Sequence, residues 1–125
     1  MPVQFSHEKL IVYQKSIQFV AWSLDLIEKL PKTHFVRNQL ERASTSVPLN
    51  LAEGNGKSSE ADRCRYFDIA RGSALECAAA LDVIVAKKVA SIEEIQPGRD
   101  LLLEIVAMQV GMIKANSSSR FKEGG

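Results

Sequence analysis

An all-α, up-down-up-down four-helix bundle is the fold this chain predicts, and three observations carry the prediction. Four long stretches place apolar residues at helical spacing, short polar or Pro/Gly-bearing breaks separate them, and no segment alternates apolar and polar residues as a half-buried strand would. Aromatic residues make up only 6% of the chain although 46% is hydrophobic, so Ala, Leu, Ile and Val must build the core, which suits helices packed closely on one another. With 125 residues the chain holds one domain around one core, a bundle over residues 1–116 followed by a flexible tail over 117–125.

The first helix is expected over residues 6–30. Ser6 reads as its N-cap, Glu8 favours the positive helix end, and Pro31 marks the stop. Leu10, Tyr13, Ile17, Val20, Leu24 and Ile27 form a heptad-like stripe, read as the face turned to the bundle core. Val12, Phe19, Trp22 and Leu26 form a second stripe, offset by two residues or about 200°. A bundle helix needs one buried face, so this second stripe must be covered by another element, with Trp22 under a loop or the C-terminal tail, or by another subunit; it reads as an oligomer interface first.

The second helix is expected over 34–53, with Thr33 as N-cap and Val36, Leu40, Ala43, Val47 and Asn50 facing inward. Pro48 lies inside it, without the N–H that would reach the carbonyl of Ser44. A kink near Ser44–Val47 is therefore expected, with the hydroxyls of Ser44, Thr45 and Ser46 available to the freed backbone groups. Gly54 fits the left-handed position just past a helix end.

Ser58 or Ser59 caps a third helix over 58–89, with Glu60 and Asp62 in its first turn. Phe67, Ala70, Ala74, Cys77, Leu81 and Ile84 form its inner stripe, and the small residues from Ala70 to Ala80 allow close approach of neighbours. Ser91 with Glu94 resembles a capping box, read as a short turn ending at Pro97. The last helix is expected over 97–116. Leu101, Ile105, Met108 and Met112 form one edge of its inner face, widened by Leu102, Val106 and Ile113.

Charge and motifs exclude more than they assign. Charged residues make up 25% of the chain at a net charge of +1, so no global field draws it to nucleic acid or membrane. No run approaches the roughly 20 apolar residues a bilayer span needs, and no signal-peptide pattern opens the chain, so a cytoplasmic protein without membrane partners is expected. Cys64 and Cys77 share a helix roughly 20 Å apart and read as reduced core residues. Gly56-Lys57-Ser58 resembles the end of a phosphate loop, but Leu51 stands where the first glycine belongs and a helix precedes it. His7 and His34 have no companions at metal-ligand spacing, and no nucleophile–base pair can be argued. No enzyme, metal or cofactor is expected.

Arg37, Arg42, Lys57, Arg63 and Arg65 gather in the central hairpin and are the candidate phosphate contacts, interleaved with Glu41, Glu53, Glu60, Asp62 and Asp68, so that ordinary solvated ion pairs are the alternative reading for most of the arginines. Arg71 lies beside the inner stripe and needs a partner. Asn50, Glu53 and Glu76 are its candidates for a structural polar cluster joining helices two and three.

Three segments carry a family resemblance: Gln39-Leu40-Glu41-Arg42-Ala43, Ser46-Val47-Pro48-Leu49-Asn50-Leu51-Ala52-Glu53-Gly54, and Tyr66 to Glu76 with Ala70-Arg71-Gly72-Ser73 at its centre. Together with the opening Phe5 to Lys15, they resemble the bacterial four-helix bundle proteins named for intervening sequences of 23S ribosomal RNA genes. The resemblance implies a bundle assembling as a ring-like homopentamer without enzymatic activity. It also implies kinship with the accessory variability determinant of diversity-generating retroelements, a basic pentamer that works with a reverse transcriptase and RNA. Where the family often carries two adjacent basic residues this chain has Glu41-Arg42, and its often basic loop has only Lys57, followed by Ser58, Ser59 and Glu60. The expected function is a homo-oligomeric bundle that binds RNA or DNA through repeated arginine faces. The alternative is a protein-interaction scaffold without nucleic acid.

Overall fold

Capping and apolar spacing produce four helices in the computed structural model, which describes residues 3–117: α1 (Ile11–Lys29), α2 (Phe35–Asn55), α3 (Glu60–Ala86) and α4 (Ile92–Ala115). A 3₁₀ turn at Ser6–Lys9 precedes α1, and no strand occurs among the described residues. Consecutive helices run antiparallel. α1 packs on α2 and α4, α3 packs on the same two, and α1 and α3 lie across the diagonal.

The helix ends depart from expectation in ways the backbone explains. Leu10 is extended and splits the first segment, so Ser6 opens the 3₁₀ turn rather than one long helix. The side chain of Gln14 reaches back to the Glu8 carbonyl at 2.9 Å and closes the break. His34, not Thr33, caps α2, its Nδ1 accepting from the Val36 N–H at 3.3 Å. Ser59 caps α3 by accepting from the Asp62 N–H at 3.1 Å. α3 stops at Ala86 because Lys88 turns left-handed (φ 61°), letting Lys88 N–H bond to the Val85 carbonyl and Val89 N–H to the Ile84 carbonyl. This is the double closure usually built on glycine.

The Ser91–Glu94 capping box starts α4 itself, not a separate turn. Pro97 lies inside α4, where its missing N–H forfeits one bond near an end that is already exposed. α2 likewise runs on through Pro48. The hydroxyls of Ser44 and Thr45 do not serve the Ser44 carbonyl; both donate to Glu41 O at 3.0 Å.

The faces of α1 depart from those expected, although Ile27 of the expected inner stripe is buried in the core and Leu10, Tyr13 and Val20 are half-buried. Val12, Phe19 and Leu26 are buried in the core with Ser16 and Ser23, while Ile17 and Leu24 of the other stripe are exposed. Val12, Phe19 and Leu26 are therefore core positions and not an oligomer interface, and Trp22 is partly buried against that core. Trp22 packs on Phe19, ring centroids 5.6 Å apart, and against Gly98 of α4. Serine can line the core because each hydroxyl bonds back into its own helix, Ser16 to the Tyr13 carbonyl and Ser23 to the Val20 carbonyl.

The inner stripe of α3 is buried as expected, extended by Cys64 and Ala80. Opposite it, Leu51 rather than Asn50 completes the α2 face. Small residues in both helices let α2 and α3 form the closest pair in the bundle. On α4 the buried line is Ile95, Gly98, Leu102, Ile105, Gln109 and Ile113, with Leu101, Val106, Met108 and Met112 at its margins. Gln109 is fully buried, and among the described residues neither its Nε2 nor its Oε1 has a hydrogen-bond partner. Both cysteines are free and buried. Burial, with a smaller contribution from Glu76, pushes the Cys77 thiol up to about 12, so it is a packing residue and not a nucleophile.

Candidate nucleic-acid interface

The α2–α3 turn is built by close packing and one arginine. Gly54 is helical and buried, not a left-handed cap. A Cβ there would stand 2.8 Å from Phe67 Cε1 and 3.0 Å from Tyr66 Cβ, so glycine is needed for helix approach. Gly56 ends α2 with φ −84°. Arg63 then closes the turn. Its Nη1 donates to the carbonyls of Asn55 and Lys57 at 3.1 and 3.2 Å, and its Nε donates to Asn116 Oδ1 at 2.8 Å. One guanidinium thus caps the end of α2 and ties it to the end of α4.

On this anchored turn Lys57 Nζ and the Arg65 guanidinium each lie 5.2 Å from the ring centroid of Tyr66. The half-buried ring holds two flexible cations at one corner through its electron-rich face. Arg65 remains mostly exposed, with only a loose 4.0 Å approach to Asp62. Glu60 and Asp68 line a groove with Arg65, so the corner is mixed in sign.

The structure brings Lys57, Arg63 and Arg65 together and leaves Arg37 and Arg42 apart. Arg37 sits at the far end of α2, where its Nη1 donates to the Leu30 carbonyl and caps α1. Arg42 lies midway, roughly 20 Å along the helix from Asn55, with its Nη2 on Gln39 Oε1 at 2.9 Å. Arg37 and Arg63 are thus occupied by backbone carbonyls, which leaves Lys57, Arg65 and Arg42 with reach to a ligand. Sequence reading overlooked Tyr66, although an aromatic next to Arg65 was the available signal, and it overlooked Asn116.

The expected polar cluster divides. Asn50 donates to the Ser46 carbonyl and hydroxyl, both at 2.9 Å, and Ser46 Oγ meets Ser73 Oγ at 2.8 Å, joining α2 to α3. Arg71 takes no part, and Glu53 and Glu76 are exposed. Two residues on a helix differ by about 200°, so Ser73 faces α2 while Arg71 shares the α4 side with Leu75. Its Nε is buried without a hydrogen-bond partner among the described residues.

The tail begins differently from expectation. Ser117 is buried, its hydroxyl 3.0 Å from Cys64 Sγ, while residues 118–125 lie outside the described residues. Among the described residues no three His, Cys, Asp or Glu side chains group as a metal site, and no helix is long and apolar enough to cross a membrane.

Four antiparallel helices with a small-residue α2–α3 seam, Pro48 inside α2 and Gly54 against Phe67 define a four-helix bundle protein of a particular kind. The sequence matches the family described as "23S rRNA-intervening sequence protein" over residues 8–111, and the chain belongs to that family. Its fold is similar to the crystal structure of a protein with unknown function from the S23 ribosomal protein family of Bacteroides thetaiotaomicron. The two superpose with a TM-score of 0.78 at 24% identity, covering 83% of this chain and 99% of that one. Curated proteins offered no match.

Proposed function

We propose that this protein is a non-enzymatic, cytoplasmic bundle that self-associates and holds RNA or DNA phosphates at the corner formed by Lys57, Arg65 and Tyr66. The observation that carries the reading is the pair of cations held over one tyrosine ring, on a turn that Arg63 makes rigid. An ordered cation loses less side-chain entropy on meeting a phosphate. A single corner is a weak site at a net charge of +1. Assembly repeats it, and repeated weak sites gain by avidity. A ring of five is the number the family resemblance implies.

The test is fluorescence anisotropy with an RNA hairpin and a DNA duplex at about 50 and 200 mM salt, a range over which phosphate contacts lose affinity steeply. Binding that falls with salt and is lost in Lys57→Glu/Arg65→Glu supports the reading; no binding at the lower salt, or binding indifferent to that double substitution, overturns it. A scaffold for a protein partner, such as a reverse transcriptase, is the second reading. The exposed apolar residues, Phe35 at 73% exposure among them, favour it.

A further inference from the structure

The turn that leads into α1 is ordered without being buried. None of the residues Ser6–Lys9 belongs to the core. Polar contacts fix the turn instead. Phe5 N–H donates to Glu8 Oε1 at 2.9 Å, and Gln14 holds the Glu8 carbonyl. Asn55 Nδ2 donates to Ser6 Oγ at 3.1 Å, which sets the turn against the end of α2, two residues before Lys57. At about 3.8 Å per residue, the Cα atoms of Asn55 and Lys57 lie within roughly 8 Å of each other.

On this turn three rings form a column that is open at one end. Tyr13 of α1 meets His7 edge-on, with ring centroids 4.8 Å apart and planes at 72°. Phe5 stacks on His7, with centroids 5.8 Å apart and planes at 10°. Among the described residues no ring lies against the other side of Phe5, and the residue is 73% exposed. A single exposed phenylalanine needs no explanation. One held as the last member of a stack presents a flat π-face, in a fixed orientation, to a further planar ring.

Charge says which kind of ring belongs there. Lys9 is exposed on the same turn and forms no ion pair among the described residues. Across the Ser6–Asn55 contact stand Lys57 and Arg65 on the ring of Tyr66. A planar ring that arrives on a negatively charged chain is a nucleobase on its phosphate backbone. A duplex keeps its bases paired and stacked on one another, whereas a single strand can splay a base onto an aromatic side chain. Cations that follow the backbone, combined with rings that take the bases, are the means by which single strands are held without regard to sequence.

We propose that Phe5, backed by His7 and Tyr13, is a stacking platform for a base of single-stranded nucleic acid whose neighbouring phosphates lie on Lys57 and Arg65. The inference rests on the phosphate contacts proposed above and names the form of nucleic acid they serve, a single strand in place of a duplex. Because Phe5 is already oriented, stacking orders little that is not ordered beforehand.

Fluorescence anisotropy at about 50 mM salt tests it. The ligands are about 10 nucleotides long, within the range of single-strand sites: oligo-dT, the same strand built of abasic sugars, and the duplex of oligo-dT with oligo-dA. The abasic strand keeps the phosphates and removes the bases. Oligo-dT should bind about 5- to 150-fold more tightly than the abasic strand, the worth of one stacked base. Oligo-U measured beside it distinguishes RNA from DNA as the source of the strand. Phe5→Leu keeps an apolar side chain without a ring and should bring oligo-dT binding down to the abasic level. Phe5→Trp restores a ring and should keep the preference. Position 5 is exposed, so both changes spare the core and should leave helical circular dichroism unchanged. Equal binding of oligo-dT and the abasic strand, a duplex bound as tightly as oligo-dT, or a preference that survives Phe5→Leu overturns the platform. In each of those cases the phosphate contacts stand if Lys57→Glu/Arg65→Glu still abolishes binding. No binding of any strand overturns both.

Discussion

Trp22 of α1 occupies the space that a side chain on Gly98 of α4 would fill. A Cβ at position 98 would lie 2.1 Å from Trp22 Cζ3 and 2.4 Å from Cη2, inside any permitted contact. Glycine is the keyway that admits an indole between α1 and α4, and the two residues specify each other.

Gly98→Ala is therefore expected to destabilise the fold. Overpacking of this kind costs about 1–3 kcal/mol, more than the gain of ~1 kcal/mol from helix propensity. Urea unfolding should show the loss, and Trp22→Leu in the same chain should relieve much of it. Gly111→Ala, with nothing within 4 Å of its Cβ, is the control and should be neutral or mildly stabilising.

Arg63 serves three acceptors on two helix ends. Arg63→Ala should cost ~2 kcal/mol, the scale of losing hydrogen bonds to a charged donor. Arg63→Lys should recover little, because one ammonium cannot reach all three. Hydrogen exchange should place the loosening at the α2–α3 turn and the end of α4, with the α1–α2 turn unaffected.

Gln109 buries a full amide with no partner for either polar atom. Replacing it by Met keeps the volume and removes the desolvation penalty, so Gln109→Met should stabilise by ~1–3 kcal/mol in chemical denaturation.

Lys88 holds a left-handed conformation that strains a side-chain-bearing residue. Lys88→Gly should stabilise by ~1 kcal/mol, the typical steric penalty there. Its thermal transition should rise at unchanged helix content.

Glu94 supplies a pH signature. The Ser91 backbone N–H, and then Lys29, hold its carboxyl below the usual range. A lowered folded pKa means the contribution is complete above the unfolded value, about 4.3, and is lost as pH falls through the folded one. Glu94→Gln should lower the thermal midpoint at pH 7, and the gap from wild type should narrow as the pH falls below the unfolded value and through the lowered folded one.

The bundle, its antiparallel order, the whole inner stripe of α3 and the Ser91–Glu94 box were legible from spacing and caps. The phase of α1 was not. Its true inner line is Val12, Ser16, Phe19, Ser23 and Leu26, a regular heptad interrupted by serines that count as polar in hydropathy. Only the back-bonds to Tyr13 and Val20 make those hydroxyls fit for the interior. Pro97 and Gly54 misled for a related reason. Each is a punctuation residue by propensity, yet capping upstream and packing against Phe67 override that local preference. Of the candidate cations, Lys57 and Arg65 were findable because Lys57 lies in the short connection between helices two and three and Arg65 just after it, which keeps them close in sequence. The carbonyls that occupy Arg37 and Arg63 belong to turns whose geometry no linear pattern reveals.

Ser6 Oγ accepts from the Asn55 side chain at 3.1 Å, and Ser117 meets Cys64, so the first and last elements of the described residues 3–117 meet the end of the bundle that carries Tyr66. A label attached at Ser6 or Ser117 would therefore stand at the same end of the bundle as Lys57, Arg65 and Tyr66. The opposite pole, at the Pro31–His34 connection, is the place to attach a label or immobilise the molecule. A circular permutant of residues 6–117, joined by a linker at that end and reopened at the Pro31–His34 connection, would move both new ends to the opposite pole.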